Sequence, residues 1–347
     1  MTDKVGKIDL AVFKDFILKR LGHPDRTVIV PPMTGVDAGV VDLEDGRVLV
    51  IAEDPIFVVP GQPLEMFGWY TVHIGASDVA VMGVAPRYMT YSLLMPPGTP
   101  DKDLRTIVDT IHREAKALGI AIVGGHTGYY PGLASPLIGG ITVFSVCGKD
   151  EFVTPAGARP GDDVLITKGP AIEAVGILSV LREKELLTHY PKELVDRAKA
   201  TCMQMTVVKD AIVAMRAGGV TAMHDATEGG VIGGLFEIAN ASGVGMEVDE
   251  SRFVYPEEVK MVAEALRFDA IAAIAEGTLL LTVRPTHSKR VIKALARKDI
   301  RCSVVGKVLK DKRRRTVRRL DGKVEKLYIP EQDPFWPIFF ESLAPHD

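Results

Sequence analysis

The chain has 347 residues, of which 47% are hydrophobic and 25% charged, and its formal net charge at pH 7 is −3. This length exceeds one average domain and suits two, each large enough to bury a core of its own. The small net charge excludes a bulk field that would attract nucleic acid or an anionic membrane surface, so neither is expected as a partner.

The cysteines and the N-terminus indicate the cellular compartment in which the protein is expected. Cys147, Cys202 and Cys302 are widely spaced and form no CxxC pair, which favours reduced thiols over a disulfide framework or a zinc knuckle. The first ten residues, MTDKVGKIDL, lack an apolar signal region, and no stretch approaches about 20 uninterrupted apolar residues. The sequence therefore predicts a cytoplasmic protein.

The first half of the sequence predicts alternating helices and strands. Apolar residues recur at helical spacing over 8–21, which predicts an amphipathic leading helix. The β-rich runs on either side of LEDG (43–46) predict a hairpin. The elements expected after it are, in chain order, a helix over 64–82, a strand over 87–95, a helix over 101–118, a strand over 120–125, and a long strand or strand pair over 136–148.

The segment TPAGARPGDDVLIT (154–167) has the proline and glycine density of a linker, so it marks the predicted domain boundary. We expect domains at 1–155 and 156–347, the second ending in a hairpin extension. Its predicted elements are helices over 171–186, 191–217, 230–240, 256–266 and 287–298 and strands over 277–283 and 301–309. The alternation in both halves predicts a mixed α/β or α+β protein.

The basic run KVLKDKRRRTVRRLDGKVEKL (307–327) has two interpretations. It could contact phosphates. The turn signal LDG (320–322) and the alternation around it instead favour a solvated strand pair.

The segment HDATEGGVIGG (224–234) places Asp225 and Glu228 directly ahead of paired glycines and an apolar run. Thr227 suits the N-cap of the following helix, and acids near a helix start are favoured by its dipole. Glycine is not explained by helix stability, because each one costs about 0.5–1 kcal/mol relative to alanine. We therefore expect something to approach this backbone closely.

Five acidic residues lie next to turns or glycines, where a site can be assembled from distant segments. They are Asp37, Asp54, Asp78, Asp225 and Glu228. Carboxylates gathered in one place repel one another unless cations separate them, and Mg²⁺ prefers such oxygen ligands. Taken singly, each aspartate also fits a turn former or a helix cap, so the residues alone leave both interpretations open.

The segment GGHTG (124–128) is expected to form a glycine-bearing turn after a strand. Gly124 and Gly125 would allow close backbone approach, and Thr127 offers a hydroxyl. His126 could donate to a phosphate, act as acid or base, or serve as a structural hydrogen-bonding residue. The sequence contains no GxxxxGK[ST] loop, no GxGxxG after a strand and no GxSxG elbow.

Seven motifs, in this order, resemble the aminoimidazole ribonucleotide synthetase (PurM-like) superfamily over about residues 30–310. They are GVDAGVV, VIAED, GASDVAVMGVAPRYM, GGHTG, TPAGARPGDDVLITKG, MHDATEGGVIGGLFEIA, and EGTLLLTV with VVGKV. The resemblance implies a homodimer whose N-terminal domains pair into an intersubunit β-barrel, with ATP and Mg²⁺ bound in a cleft between domains.

Site roles follow from the resemblance. The implied metal ligands are Asp37, Asp54, Asp78, Asp225 and Glu228. The implied nucleotide-binding residues are Asp37, Asp54, Gly124, Gly125, Thr127, Lys168, Gly229 and Gly230. His126, Asp225 and Glu228 are the implied catalytic residues, with His126 and Thr127 contacting phosphate or the acceptor and Lys168 offsetting negative charge.

Departures from the motifs narrow the choice within the superfamily. The N-terminal loop lacks the reactive cysteine of selenophosphate synthetases, and His126 stands where thiamine-monophosphate kinases have an acid. The sequence of residues 225–248, DATEGGVIGGLFEIANASGVGMEV, resembles the HypE type of hydrogenase-maturation carbamoyl dehydratase. No cysteine follows Cys302, so dehydration of a carbamoyl group carried on a tail cysteine is not expected in cis.

We therefore expect a HypE-like, Mg²⁺-dependent ATP-binding enzyme that activates or phosphorylates a small acceptor. One alternative is a non-catalytic nucleotide-binding protein that acts through a partner in metalloenzyme maturation. The other is a small-molecule kinase of the thiamine-monophosphate kinase type.

Overall fold

The computed structural model describes residues 5–344, which divide into two units. The N unit comprises Thr27–Pro31 and Asp37–Phe152, and the C unit comprises the described residues up to Arg26, Pro32–Val36 and the described residues from Val153 onward. The predicted boundary between 155 and 156 stays a prediction. Each unit contains one sheet with both parallel and antiparallel pairs, which confirms the mixed α/β, two-domain organisation.

The predicted leading helix is shorter than expected. It consists of α1, Leu10–Val12, continued by a π-helical turn at Phe13–Ile17. Asp9 caps it by accepting a hydrogen bond from the amide of Ala11.

The N unit is a six-stranded sheet in the order β1-β2-β3-β6-β4-β5. Its strands are β1 Val28–Val30, β2 Gly39–Asp42, β3 Arg47–Phe57, β4 Tyr88–Met95, β5 Ala121–Tyr129 and β6 Leu137–Gly148. Its helices are α2 Leu64–Val81 and α3 Asp101–Leu118. The predicted hairpin at 43–46, both helices and the strand over 87–95 are confirmed, and the segment over 136–148 is one long strand.

One prediction in the N unit is wrong. GGHTG is not a turn after a strand; it lies inside β5, which runs parallel to β4 with Tyr91 opposite Gly125. Gly125 has φ +144°, and a Cβ there would lie 2.3 Å from the carbonyl oxygen of Tyr91. Glycine therefore serves strand pairing here, because it alone allows this close approach.

The C unit is a seven-stranded sheet in the order β13-β12-β9-β11-β7-β10-β8. Its strands are β7 Asp163–Thr167, β8 Val220–Asp225, β9 Gly245–Asp249, β10 Leu279–Val283, β11 Cys302–Leu309, β12 Arg315–Arg318 and β13 Val324–Lys326. Its helices are α4 Ile172–Leu181, α5 Glu183–Leu187, α6 Lys192–Ala200, α7 Val208–Ala217, α8 Gly230–Ala241, α9 Glu257–Leu266, α10 Pro285–Ala296 and α11 Phe335–Leu343.

The core of the C unit forms where α8 packs on the sheet. Val231, Leu235 and Ile238 of α8 are buried against strand residues that include Ile166 and Leu280. This packing fixes the start of α8 at the end of β8, which places the 224–230 motif at one end of the sheet.

The basic run forms the strand pair that the sequence favoured, and one of its arginines is tied to the C unit. The predicted hairpin forms, since β12 and β13 pair around 320–322. Within it, Arg315 donates to the carbonyl oxygens of Ala239 and Val244 near the end of α8. Within residues 5–344, no helix has the length and apolar content required to cross a membrane.

Candidate functional site

The candidate site of the C unit lies where strand β8 ends and helix α8 begins. His224 and Asp225 are the last residues of β8 and are 2% and 1% exposed. The next residue, Ala226, donates its amide to the carbonyl of Thr278, which holds the exit of the strand in place. Glu228 lies in the short connection before α8.

The glycines of this connection are required by the chain itself. Gly229 and Gly230 have φ +86° and +62°, and a Cβ on Gly230 would lie 2.6 Å from the carbonyl oxygen of Ala273. A Cβ on Gly234 would lie 2.7 Å from Leu280 Cδ1. The expected close approach to this backbone is therefore made, at Gly230 and Gly234, by the protein's own atoms.

The predicted N-cap is wrong. Gly229, in the left-handed region, is the N-cap of α8, and the Thr227 hydroxyl instead accepts a hydrogen bond from Lys7. The Gly229 amide donates to Asp333 Oδ2 over 2.8 Å, and the Gly230 amide donates to the Thr227 carbonyl. Both amides are thus already engaged, so phosphate contact by Gly229 and Gly230 stays a prediction.

The N-terminal segment contacts Glu228, which the sequence did not predict. The Lys7 amide donates to Glu228 Oε2 over 2.8 Å, and the Lys7 ammonium donates to Thr227 Oγ1 over 2.8 Å. Gly6 has φ +100°, and a Cβ there would lie 2.1 Å from Glu228 Oε1. In the sequence, Gly6 and Lys7 form only a glycine–lysine pair, which is too common to indicate a site.

Acidic side chains are concentrated around this connection. Removal from water raises the pKa of Glu173 to about 8; the backbone amide of Glu276 opposes this rise, and the charges of Asp333 and Glu228 add to it. Burial likewise raises the pKa of Asp333, and Glu228 contributes. Carboxylate oxygens are the ligands that Mg²⁺ prefers, and a divalent cation would favour the ionised form of these acids, so the residue types present here fit such an ion.

His224 links two acids of the site. Its Nε2 lies 2.9 Å from Glu237 Oε2, and its Nδ1 lies 3.7 Å from Asp225 Oδ1. Burial acts to raise the pKa of Glu237, but the hydrogen bond and charge of His224 hold it below its ordinary value. The imidazole is thereby fixed between α8 and β8, which orients it beside the Asp225 carboxylate.

Lys168 lies beside a carboxylate of the C unit. Its ammonium is 3.1 Å from Asp210 Oδ1 and donates to the Thr206 carbonyl over 2.6 Å. The two charged side chains are 11% and 4% exposed. Asp210 neutralises the charge of Lys168 in this arrangement, so its predicted contact with phosphate stays a prediction.

Three predicted acids lie in the N unit, and all are half-buried. Asp37 precedes β2, Asp54 lies in β3, and Asp78 lies in the last turn of α2. Asp54 is opposite Ile141 of β6 at the point where the pairing register shifts. Such an irregularity re-aims side chains and is frequent next to active sites.

The residues of GGHTG lie away from Asp54 within the N unit. Asp54 pairs with Ile141, Ile141 with Tyr91, and Tyr91 with Gly125. Three strand spacings separate Asp54 from Gly125, a distance of about 14 Å. His126 follows Gly125 in β5, so one ion cannot bind both Asp54 and His126 of the same chain. The His126 Nε2 atom lies 2.5 Å from the Tyr130 hydroxyl.

Two family models match this chain, one in its N-terminal half and one in its C-terminal half. Residues 35–148 match the family model described as AIR synthase related protein, N-terminal domain, and residues 159–318 match the corresponding C-terminal domain. A carbamoyl dehydratase HypE from Cupriavidus necator is 28% identical over 267 residues, covering 75% of this chain and 72% of that protein.

Two solved structures share the fold. The hydrogenase maturation protein HypE in complex with ATP superposes with a TM-score of 0.71 at 21% identity, covering 94% of this chain and 93% of that one. AaThiL complexed with AMPPCP and TMP gives a TM-score of 0.71 at 20% identity, covering 94% and 98%. At these identities the structures demonstrate a shared fold.

Proposed function

Since the chain belongs to the AIR synthase related family, we propose that it is an ATP-dependent, Mg²⁺-requiring enzyme that activates or phosphorylates a small acceptor. The match to both family models confirms the family that the sequence motifs predicted. The observation that carries the proposal is the concentration of acidic side chains around the connection between β8 and α8, where Asp225 is buried and the charge of Glu228 helps to raise the pKa values of Glu173 and Asp333. The proposal of ATP as the nucleotide is supported by similar proteins, which include a carbamoyl dehydratase HypE and a HypE structure in complex with ATP.

Each residue has a proposed task. Mg²⁺, when bound, would neutralise phosphate charge, which is the main catalytic requirement of phosphoryl transfer. Asp225 and Glu228 would supply oxygen ligands in the C unit, with Asp37, Asp54 and Asp78 as the remaining proposed ligands. His224 holds Asp225 in place through its contacts with both β8 and α8. His126 and Thr127 are proposed contacts for phosphate or the acceptor.

The rival proposal is a nucleotide-binding protein that acts through a maturation partner without catalysis. It gains support from the hydrogenase-maturation role named for the ATP-bound relative. The presence of acids at all five motif positions favours the enzyme, because carboxylate oxygens are the ligands that Mg²⁺ prefers.

Product analysis distinguishes the two. We expect the purified chain to convert ATP to ADP or AMP only with Mg²⁺, and faster when the correct acceptor from a panel of carboxamides and phosphomonoesters is present. Phosphorus NMR of the reaction identifies which bond breaks, and EDTA supplies the metal-free control. Tight ATP binding by calorimetry with no turnover across the panel would establish the binder instead.

The proposed homodimer is supported by strand β5. It is the edge strand of its sheet, and nearly all its residues are exposed, including Val123 at 54% and Tyr129 at 48%. An exposed apolar edge offers unpaired backbone groups to a second strand. We propose that β5 forms the contact between two copies of the chain.

A lysine on this edge should break the dimer. We expect wild-type protein to elute at the dimer mass in light scattering and Val123→Lys to shift to the monomer mass, because edge lysines block strand pairing. Val324→Lys is the matched control, since Val324 is 58% exposed on β13, the edge of the other sheet. A monomeric wild type, or dissociation by the control alone, would refute the β5 contact.

A further inference from the structure

A groove of about 680 Å³ lies on the C unit between helices α7 and α10. Its lining includes six cationic residues and no acidic one; the cations are Arg216, Lys289, Arg290, Lys293, Arg297 and Lys298. Val213, Ala217 and Ala294 give it a small apolar floor. The whole chain carries a net charge of −3, so this concentration is local.

The six cations are not neutralised by the protein. Among residues 5–344, no carboxylate forms an ion pair with any of them, whereas Lys307, Arg314 and Arg319 of the other basic segment each pair with a carboxylate. Helix α10 itself contains no acid. Lys289 and Lys293 of α10 and its C-cap residue Arg297 follow one another at intervals of four residues, a spacing at which like charges destabilise a helix by about 0.2–0.5 kcal/mol per pair.

Helix electrostatics explains only part of this pattern. Cations are favoured in the last turn of a helix, which accounts for Lys293 and Arg297. Lys289 and Arg290 lie further from that end. Arg290 reaches across to α7, where a Cβ on Gly218 would lie 2.6 Å from its Nη2. Gly218 thus leaves room for a guanidinium over the groove.

The density of charge indicates the class of ligand. Residues 289–297 span about 12 Å of helix. An extended acidic peptide presents side chains to one face only every 6–7 Å or so, hence about two carboxylates over that length. A polyphosphate chain concentrates more negative charge in the same space, and the groove has the volume of a small-molecule site.

We propose that the groove between α7 and α10 binds a compact polyphosphate anion, at a site separate from the acids of the 224–230 connection. Arginine forks and lysine ammonium groups would bind phosphate oxygens directly. The apolar floor would accommodate an organic group attached to the phosphates. This site does not depend on the proposed ATP-dependent activity.

Calorimetry with inorganic tripolyphosphate tests the site in the full chain, in EDTA so that metal-dependent binding elsewhere is suppressed. We expect saturable binding with one ligand per chain, weakened at least tenfold in the variant Arg290→Gln/Lys293→Gln/Arg297→Gln. The matched control is Lys310→Gln/Lys312→Gln/Lys326→Gln, which removes the same charge from exposed positions outside the groove. Its affinity should change less than twofold.

Further readouts separate the outcomes. The salt dependence of binding should become shallower in the groove variant, because fewer charge contacts are left for salt to screen. The single exposed changes Lys289→Gln and Lys293→Gln should each weaken binding severalfold, which keeps the test valid if the triple variant misfolds. No saturable binding, equal weakening in the control, or loss of binding in Asp225→Asn would overturn the proposal. Tighter groove-dependent binding of a poly-glutamate peptide or an oligonucleotide would also overturn it, in favour of a macromolecular partner.

Discussion

Asp225→Asn is expected to lower Mg²⁺-dependent ATP turnover by about 10²–10³-fold, the loss typical of removing one preorganised electrostatic contact. The substitution keeps the size of a side chain that is 1% exposed, so packing against β10 should survive. It removes the negative charge beside His224 and replaces one ligand oxygen with an amide nitrogen, which Mg²⁺ does not accept. The Mg²⁺ concentration required for half-maximal turnover should rise as well.

A buried acid of the same unit supplies the control. Asp163 is 8% exposed and is bonded to Ser288 and Lys307, so Asp163→Asn tests the general cost of changing a buried aspartate. We expect it to lower thermal stability while leaving turnover per folded molecule within about threefold of wild type. Unchanged Mg²⁺ dependence in Asp225→Asn, measured as initial rates of ADP release, would remove Asp225 from the proposed metal site.

Elements with a clear local pattern, either amphipathic periodicity or a long helix-compatible run, could be predicted from the sequence. The helices α2 and α3 match their predicted spans, because α3 is amphipathic and α2 is a long run of helix-compatible small and apolar residues between proline and glycine. The short strand β9 and the C-terminal helix α11 were not predicted. Strand β9 has too few apolar residues to show a period, and α11 is apolar along almost its whole length, so it shows none. Both elements depend for their stability on packing against residues distant in the sequence.

The candidate site was predictable in its residue types and less so in its contacts. Asp225 and Glu228 were identified from acids beside glycines, but the partners of the connection come from both ends of the chain. Lys7 lies 221 residues from Glu228, and Asp333 lies 104 residues from Gly229. No local pattern links such residues, since only the folded backbone brings them together.

Arg319→Met is expected to lower the free energy of unfolding of the C unit by about 3 kcal/mol, the low end of the cost of breaking a buried ion pair from one side, because Glu250 is buried whereas the Arg319 and Asp269 side chains are 19% and 35% exposed. Arg319 makes a two-pronged contact with Asp269, at 2.9 and 2.8 Å, and donates to Glu250 Oε2 over 2.9 Å. Burial acts against its charge, yet the bonds and charges of Asp269 and Glu250 hold its pKa above the ordinary value. Urea denaturation measures the loss.

The loss should come from the acids left behind rather than from the missing side chain. Glu250 is 3% exposed, so without Arg319 its carboxylate stays buried and poorly paired. Glu250→Gln should therefore destabilise wild type but restore part of the stability of Arg319→Met, giving a coupling energy above about 1 kcal/mol in the double-mutant cycle. Arg313→Met is the control: its side chain is 87% exposed beside Asp311, and it should change stability by less than about 0.5 kcal/mol. Equal effects of the two arginine substitutions would show that this network contributes no more than an ordinary surface pair.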